Sequence, residues 1–414
     1  MNATTVGIAV VEVNVPTGTP MSGFAARTEG STGVHDPTSV RALVIGGHGI
    51  VAVDVCALHE DTCHEIAGRS GLASVTVSAT HTHSGPCISR GRVGRHNPEV
   101  HAAVVSAAVE ALDAATEGAQ PVTVEYREAT GVGVARDRRH LERPVDPPLQ
   151  AVCFHAGDQM VAAIVSYPCH PVVLDGTNTL ITGDYVHFLR VSLEEEWGGQ
   201  VLFLNGTAGD LNTGHTAESS YEPGKDPART FARAEQIGTT LAEALAASTP
   251  RAVGQLTTGF ACADVSLDFS DLPEDELSGE VSGWRSQRTA APPGTAALLD
   301  IWLDWADRWP RAARQQTTQW AARVSCLRIG ELWLVTLPGE PFFGVAEAIR
   351  RAASLPVVVA GYTDGVPGYI PMEQDYADGG YEVCDAHRYY DMPAPFAVGS
   401  AERLVQAAIQ LMED

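Results

Sequence analysis

Lysine is almost absent from this chain of 414 residues, which has a single lysine, Lys225, among its 27 basic residues. This scarcity argues against mechanisms that depend on a lysine amine and leaves arginine as the main basic side chain. Acidic residues outnumber basic residues by 51 to 27, which gives a formal net charge of −24. Because such a surface repels phosphate and anionic lipid, nucleic acids and anionic membranes are not expected partners.

Long apolar runs and an export signal are also missing. No apolar run reaches membrane-spanning length, so no membrane insertion is expected. Met1 to Val15 lacks the basic n-region and the apolar h-region of a signal peptide, which predicts a cytoplasmic protein. The eight cysteines are scattered along the chain, and without export they are expected to be reduced thiols rather than a disulfide framework.

Short apolar segments along the chain predict many β-strands and a smaller number of helices. The predicted strands cover 7–13, 41–45, 50–54, 122–126, 149–154, 161–167, 201–204, 331–337 and 357–360. The predicted helices cover 99–115, 185–197, 226–248, 344–353 and 400–412. Asn97 and Asp184 are the expected N-caps of the first two helices.

The segment Val75–Cys87 combines a predicted strand with two candidate metal ligands. A β-branched run typical of a strand ends in His81 and His83, just before a Ser-Gly-Pro turn. Residues two apart on a strand point the same way, so the two imidazoles can converge on one cation. A lone His-x-His is more often a pair of satisfied polar residues near a turn, so the other motifs decide the interpretation.

Two further polar residues follow predicted strands. His170 comes shortly after the strand 161–167, and Glu340 follows Pro-Gly after the strand 331–337. His170 is also compatible with a structural role, and Glu340 with a carboxylate that the helix dipole favours at a helix start. These positions are candidate metal ligands only if the fold brings the strand ends together.

The segment from about 271 to 320 differs from the rest because it is acidic, contains proline and is rich in tryptophan. Trp302, Trp305 and Trp309 fall on one helical face, which predicts a helical insertion. Such a stripe is usually core packing. The alternative is a lid that binds an apolar or aromatic part of a substrate.

Several other short motifs occur in a fixed order. They are Gly7–Val13, Pro20–Arg27, His35–Pro37 with Arg41–Leu43, Thr80–Pro86, Asp137–Arg139, Val145–Pro147, Cys169–Pro171, Asn205–Asp210, Leu337–Glu340 and Gly368–Pro371. Each motif alone is weak, but the ordered set is specific. Over most of the chain, apart from the tryptophan-rich segment, it resembles the amino-terminal catalytic domain of the neutral/alkaline ceramidase family.

The resemblance implies an α/β fold, with a mixed β-sheet core flanked by helices, and a single domain over 1–414 that includes the insertion. It also implies a catalytic Zn²⁺ held by two histidines, a glutamate and a tyrosine. On this chain those ligands are His81, His170, Glu340 and Tyr369. His83 is implied beside the metal, and Arg138 is implied to contact substrate, although it could instead pair with a surface carboxylate.

Two features depart from the family pattern. The sequence shows neither the carboxy-terminal immunoglobulin-like domain nor the export signal of ceramidases. The family motif Gly-Asp-Val-Ser, whose serine is proposed as a nucleophile, reads Gly209-Asp-Leu-Asn212 here. Asn212 cannot act as a hydroxyl nucleophile, but its amide could donate a hydrogen bond to a substrate carbonyl or developing oxyanion.

The sequence therefore predicts a zinc-dependent hydrolase that cleaves an amide bond of a small soluble substrate by attack of zinc-bound water. His83 is expected to shuttle the proton, with Asn212 in place of the family serine and Tyr369 completing or leaving the metal shell. A biosynthetic role is one setting for such an enzyme, and a homo-oligomer is left open.

Four alternatives remain open at this point. They are a zinc-dependent lyase or isomerase acting on a carbonyl substrate, a true ceramide or N-acyl lipid amidase, a non-catalytic descendant that binds a ligand, and an amidohydrolase barrel. The barrel also begins with a strand and His-x-His, but its bridging lysine has one candidate, Lys225, which comes after His170.

Neighbouring residues are expected to play supporting roles. Asp54 and Asp210 are expected to orient a ligand imidazole or a loop backbone. Cys87 and Cys169 flank the predicted metal site and could bind zinc, although nothing else in the pattern needs sulfur. Tyr362 and Tyr381 lie close to Tyr369 in sequence and are alternatives to it as the tyrosine ligand.

Overall fold

Three main β-sheets surround one hydrophobic core in the computed structural model, which describes residues 4–220 and 223–413. The strands in these ranges are β1 (Thr5–Val13), β2 (Gly33–Val34), β3 (Thr38–Ile45), β4 (His48–Val53), β5 (Ser74–Ala79), β6 (Gln120–Pro121), β7 (Thr123–Ala129), β8 (Arg136–Asp137), β9 (Leu149–Ala156), β10 (Gln159–Tyr167), β11 (Leu180–Ile181), β12 (Gln200–Asn205), β13 (Leu211–Asn212), β14 (Arg251–Ala252), β15 (Thr258–Asp268), β16 (Gln319–Ile329), β17 (Leu332–Thr336), β18 (Glu340–Pro341), β19 (Val357–Ala360) and β20 (Tyr369–Ile370). The α-helices there are α1 (Glu60–Arg69), α2 (Pro98–Glu117), α3 (Tyr185–Trp197), α4 (Phe231–Ala247), α5 (Glu274–Arg288), α6 (Pro293–Arg308), α7 (Arg311–Gln316), α8 (Phe343–Ala352) and α9 (Ser400–Glu413).

Each main sheet is mixed. The first sheet has the strand order β5-β4-β3-β1-β6, the second β12-β10-β9-β7-β14 and the third β15-β16-β17-β19. One edge pair in each sheet is parallel, namely β4 with β5, β10 with β12, and β17 with β19. The remaining neighbours in the three sheets are antiparallel. The expected α/β fold with a mixed β-sheet core flanked by helices is confirmed.

Alternate residues of one strand pack into different cores. Leu43 and Ile45 of β3 face the core shared by the three sheets, whereas Ala42 and Val44 face the core beneath the helices. The same alternation occurs in β10 and β16. Because both faces of β10 are buried along most of its length, its sequence is a nearly continuous apolar run, which made this strand easy to predict.

The helices cover the outer faces of the sheets and begin largely where the sequence predicts. Asn97 caps α2 by accepting hydrogen bonds from the backbone of Glu99 and Val100, and Asp184 caps α3. The predicted start of α4 at Asp226 is wrong, because Asp226 accepts from the Ala228 backbone in a turn. No helix in the described ranges is long and apolar enough to cross a membrane.

The tryptophan-rich segment is inserted between β15 and β16, two long strands that the sequence analysis missed. It contains α5, α6 and α7, and its predicted end at 320 is wrong because β16 begins at Gln319. Trp305 is fully buried, and the Arg388 guanidinium lies 5.7 Å from its ring. The tryptophan stripe therefore forms a small core of its own rather than a surface that faces substrate.

Candidate metal centre

His81, His170 and Glu340 each follow a strand of a different main sheet. His81 comes shortly after β5, His170 after β10 and Glu340 after β17. All three side chains are fully buried where the ends of the sheets meet. One ligand atom from each lies within 4.8 Å of the other two, so this group could hold a metal ion.

Backbone carbonyl groups set the direction of both imidazoles. Nδ1 of His81 lies 2.6 Å from the Cys56 carbonyl oxygen, and Nδ1 of His170 lies 2.7 Å from that of Ala208. A carbonyl oxygen can only accept, so each Nδ1 is a donor and each neutral ring presents a lone pair at Nε2. These two Nε2 atoms lie 3.2 and 3.0 Å from the same oxygen, Oε2 of Glu340.

The donor set fits a divalent cation. Two nitrogen lone pairs that face one carboxylate oxygen repel each other unless a proton or a metal lies among them. Burial lowers the pKa of both imidazoles, but the Glu340 carboxylate outweighs it at His81 and raises that pKa to about 10. At His170, burial and the charge of His81 lower the pKa to about 4. Two imidazoles and one carboxylate are ligands that zinc commonly takes in catalytic sites.

His81 is held in an uncommon backbone conformation. Its φ is 68°, in the left-handed region that non-glycine residues avoid at a cost of the order of 1–3 kcal/mol. The ring of Tyr362, which also has a positive φ of 57°, packs against the imidazole with the ring centroids 4.3 Å apart. Such strain is common at functional sites, where the surrounding structure enforces one side-chain direction.

Two tyrosines, Tyr369 and Tyr390, lie against the candidate metal ligands. The ring of Tyr369 stacks on His170 with centroids 6.4 Å apart, and its backbone pairs with Glu340 in the β18–β20 ladder. Tyr390, which the sequence analysis missed, donates a hydrogen bond from its hydroxyl group to Oε1 of Glu340. No spacing pattern pointed to Tyr390, because it lies in irregular structure after α8. The role of Tyr369 as a ligand stays a prediction.

His83 lies between the buried centre and a surface cleft. Its Nε2 is 3.2 Å from Nε2 of His81, and its ring lines the cleft. The loop before β2 supports it from behind, because Arg27 donates to the His83 carbonyl oxygen and the ring of Phe24 meets the imidazole edge-on at 5.0 Å. Burial and the neighbouring His81 and His170 lower the pKa of His83 well below its usual value, so the imidazole is neutral.

Asn212 and Arg138 both line this cleft, which has a volume of about 540 Å³ including its open mouth. The Asn212 amide oxygen accepts from the backbone of Gly214 and His215, and its amide nitrogen donates to the His215 carbonyl oxygen at 2.6 Å. One amide hydrogen remains for a substrate. Arg138 is buried with its Nε 2.9 Å from Glu382, so it is not one half of a surface ion pair.

Asp54 supports the backbone next to the site. It accepts two hydrogen bonds from Arg190, at 2.9 and 2.7 Å, and one from Thr80, the residue before His81. Asp210 accepts from the backbone of Phe343 at 2.7 Å, and burial raises its pKa to about 7. Neither carboxylate has a hydrogen bond to His81 or His170 among the described residues. Asp210 therefore contacts backbone, which is one of the two roles expected for it, whereas these bonds of Asp54 are to the side chains of Arg190 and Thr80.

Cys87 and Cys169, the sulfur ligands considered from the sequence, do not lie in the candidate metal centre. Within the described ranges, neither Cys87 nor Cys169 belongs to a group of side chains that could hold a metal. Cys56 does, because it lies with His81 and His83 in a second such group. Cys56 lies in the loop after β4, a segment that carried no motif in the sequence.

Comparisons with known proteins agree with this architecture. The chain is similar to the neutral ceramidase of Mycobacterium tuberculosis, with 22% identity over 457 aligned positions that cover 87% of this chain and 70% of that protein. The crystal structure of neutral ceramidase from Pseudomonas aeruginosa matches with a TM-score of 0.73 and 19% identity, over 99% of this chain and 75% of that one. A second structure, a ceramidase complexed with C2, matches with a TM-score of 0.72 and 17% identity over the same shares.

No protein-family model matches the chain. The similarity to neutral ceramidases therefore rests on one sequence relative and on the fold. The resemblance inferred from the ordered motifs is confirmed at that level.

Proposed function

We propose that this protein is a zinc-dependent hydrolase that cleaves an amide bond of a small soluble substrate. One observation carries the proposal: Nε2 of His81 and Nε2 of His170 lie 3.2 and 3.0 Å from Oε2 of Glu340, in a buried group next to His83, which lines a cleft. The proteins that this chain resembles are named as ceramidases, enzymes that hydrolyse an amide, which supports the same reaction class.

The chain offers a group for each remaining step. A zinc ion held by His81, His170 and Glu340 supplies Lewis acidity and a water of lowered pKa. His83 is placed to take the proton that the attacking water loses and to give it to the leaving amine. The free amide hydrogen of Asn212 is available to the carbonyl oxygen, a contribution of about 3 kcal/mol where such donors are well placed.

Because residue 212 is asparagine and has no hydroxyl group, the proposed mechanism differs from one in which a serine is the nucleophile. One hydrogen of the Asn212 amide is engaged in the turn that ends at His215, so this residue can offer a substrate a hydrogen-bond donor but no nucleophile. Hydrolysis then depends on the metal and on His83 alone for its nucleophile and proton transfer.

Metal content tests the site directly. Mass spectrometry of the purified protein should find about one zinc per chain, and both Glu340→Gln and His81→Ala should lose it. The matched control is Glu65→Gln, which removes a carboxylate from the surface of α1. A wild-type protein that is folded but refuses added zinc would reject the assignment.

Isotope incorporation tests the reaction class. Turnover of an amide in heavy-oxygen water should place one solvent oxygen in the acid product, because hydrolysis forms that C–O bond from water. A lyase or isomerase that used the same metal centre would convert its substrate without this incorporation. The result separates the two classes whatever substrate is found.

A further inference from the structure

The charged residues that line the cleft above the candidate metal centre differ in sign from the net charge of the whole molecule. The chain has a net charge of −24, yet no aspartate or glutamate among the described residues lines the cleft. Arg138 and Arg229 line it, together with hydroxyl groups of Thr216, Ser219, Ser220, Tyr369, Tyr381, Tyr389 and Tyr390. Because Arg138 is paired with Glu382, Arg229 is the cation of this lining that has no carboxylate within ion-pair distance in the described ranges, and it can attract an anion.

Arg229 has no carboxylate partner in the described part of the chain. Its Nε and Nη2 donate to backbone carbonyl oxygens of Val172, Val173 and Leu174, at 2.8–3.3 Å. Its Nη1 makes no hydrogen bond to a described group. Burial lowers the pKa of Arg229, although the more distant carboxylates of Asp175, Asp184 and Asp226 act in the opposite direction. A guanidinium that is held in place and has donors to spare is suited to bind a carboxylate.

Phe24 connects this cation to the reacting end of the cleft. The Arg229 guanidinium lies 5.9 Å from the centroid of the Phe24 ring, and the same ring meets His83 at 5.0 Å. One aromatic ring therefore separates Arg229 from the imidazole that faces the metal centre. If the anionic group of a substrate bound to Arg229, only a few covalent bonds would separate that group from the bond that reacts beside His83.

The cleft offers little to a long acyl chain. Apart from the tyrosine rings, its apolar side chains are those of Ala25, Val172 and Ala217. Burial of apolar surface is what makes a lipid tail bind, at roughly 25 cal/mol per Å². Beyond the tyrosine rings, these three small side chains add little apolar surface for such a tail.

We propose that the cleft binds amides that carry a carboxylate a few bonds from the scissile bond, with Arg229 as the receptor for the carboxylate. The hydrolysis of these amides rests on the proposed function, but the binding of the anion does not. N-acyl amino acids have the carboxylate on the amine side of the amide, and monoamides of dicarboxylic acids have it on the acyl side. In either case water supplies the new C–O bond, the C–N bond breaks, and the amine leaves with the proton.

Calorimetric binding of matched compounds tests the receptor. The probes are N-acetylglycine and N-methylsuccinamic acid, each paired with its neutral primary amide. The wild type should bind at least one of the acids about ten times more tightly than its neutral partner. The acid that binds identifies the side of the amide that carries the carboxylate.

Three variants test whether the preference for the acid over the neutral amide depends on Arg229. Arg229→Gln should remove it and leave the binding of neutral amides unchanged, which also shows that the variant is folded. Arg229→Lys should keep part of it. Arg233→Gln is the matched control, because it removes an equal charge from an exposed position on α4 outside the cleft. Equal binding of acid and neutral amide by the wild type, or a preference that survives in Arg229→Gln, overturns the proposal.

Two further measurements test the anion receptor and the hydrolase independently of each other. If Arg229→Gln is unstable, the wild type decides, because a preference due to charge should weaken as ionic strength rises from 0.05 to about 0.5 M. Hydrolysis of the same four compounds is followed independently. An anion preference without any hydrolysis upholds the receptor and rejects the hydrolase, whereas hydrolysis without an anion preference does the opposite.

Discussion

Tyr390 donates its hydroxyl hydrogen bond to Oε1 of Glu340, the carboxylate oxygen opposite to the one that faces the two histidines. The bond restricts rotation of the carboxylate and directs Oε2 toward the position between His81 and His170. Partners of this kind orient metal ligands and raise metal affinity, although they do not touch the ion.

Tyr390→Phe should therefore weaken zinc binding by roughly 10-fold without abolishing it, since the ligands remain and only their orientation loosens. Competition with a chelator measures the change. Tyr389→Phe is the matched control, because that hydroxyl donates to the Val93 carbonyl oxygen at 3.0 Å and does not contact Glu340. Equal losses in both variants would contradict the orienting role.

Gly23 lies directly behind His83, and a methyl group at this position should impair proton transfer. A Cβ at Gly23 would lie 2.5 Å from Cγ of the His83 ring, and the residue has a φ of 96°. Gly23→Ala should reduce kcat by about 10-fold or more, with zinc content unchanged, because the imidazole must move.

Gly18→Ala controls for the backbone effect. Gly18 has a similar φ of 88°, but a Cβ there meets nothing within 4 Å. It imposes comparable backbone strain and leaves His83 in place, so kcat should be retained. Steady-state kinetics that show the same loss in both variants would assign the effect to strain rather than to His83.

The Asp54–Arg190 ion pair is buried and bidentate, and its disruption should be costly. Removal of one partner leaves a charge in the interior, which typically costs about 3–5 kcal/mol. Arg190→Met should lower the free energy of unfolding by that amount, as measured by urea denaturation. Arg69→Met breaks an exposed pair with Glu65 and should cost less than about 1 kcal/mol. A small effect at Arg190 would mean that Asp54 becomes protonated or hydrated at little cost.

Asp364 should make stability fall as the pH rises from about 4 to 6. Its Oδ1 accepts from the Val77 backbone, its Oδ2 has no partner in the described structure, and burial raises its pKa from 3.8 to about 6. Between these values the folded state holds a proton that the unfolded state has released, so the free energy of unfolding decreases by of the order of 2–3 kcal/mol. Asp364→Asn should flatten this part of the curve of stability against pH. A slope that is unchanged in the variant would assign it to another group.

The sequence predicted the elements whose residues are uniform in character. The strands β3, β9 and β10 are buried on both faces and were placed correctly, and Asn97 and Asp184 act as the expected caps. It missed β15, whose side chains alternate between partial exposure and solvent and include Asp264 and Asp268. Such a strand looks like loop in composition, and only its pairing with β16 makes it a strand.

For the site, motifs identified residues but not the contacts between distant segments. The structure brings His81, His83, His170 and Glu340 together as the resemblance implied. Tyr390 could not be found, because its contact with Glu340 joins residues 50 positions apart without any local pattern. The cationic cleft was equally hidden, since Arg138 and Arg229 come from segments that meet only in the folded chain.

Because His81, His170 and Glu340 each follow a strand of a different main sheet, an ion bound by all three would cross-link the three sheets. A chain that has formed only one or two sheets holds at most two ligands, and two ligands bind weakly. Metal affinity therefore appears only with the last step of assembly, and saturating zinc should stabilise the native state alone, by RT ln(1 + [Zn]/Kd).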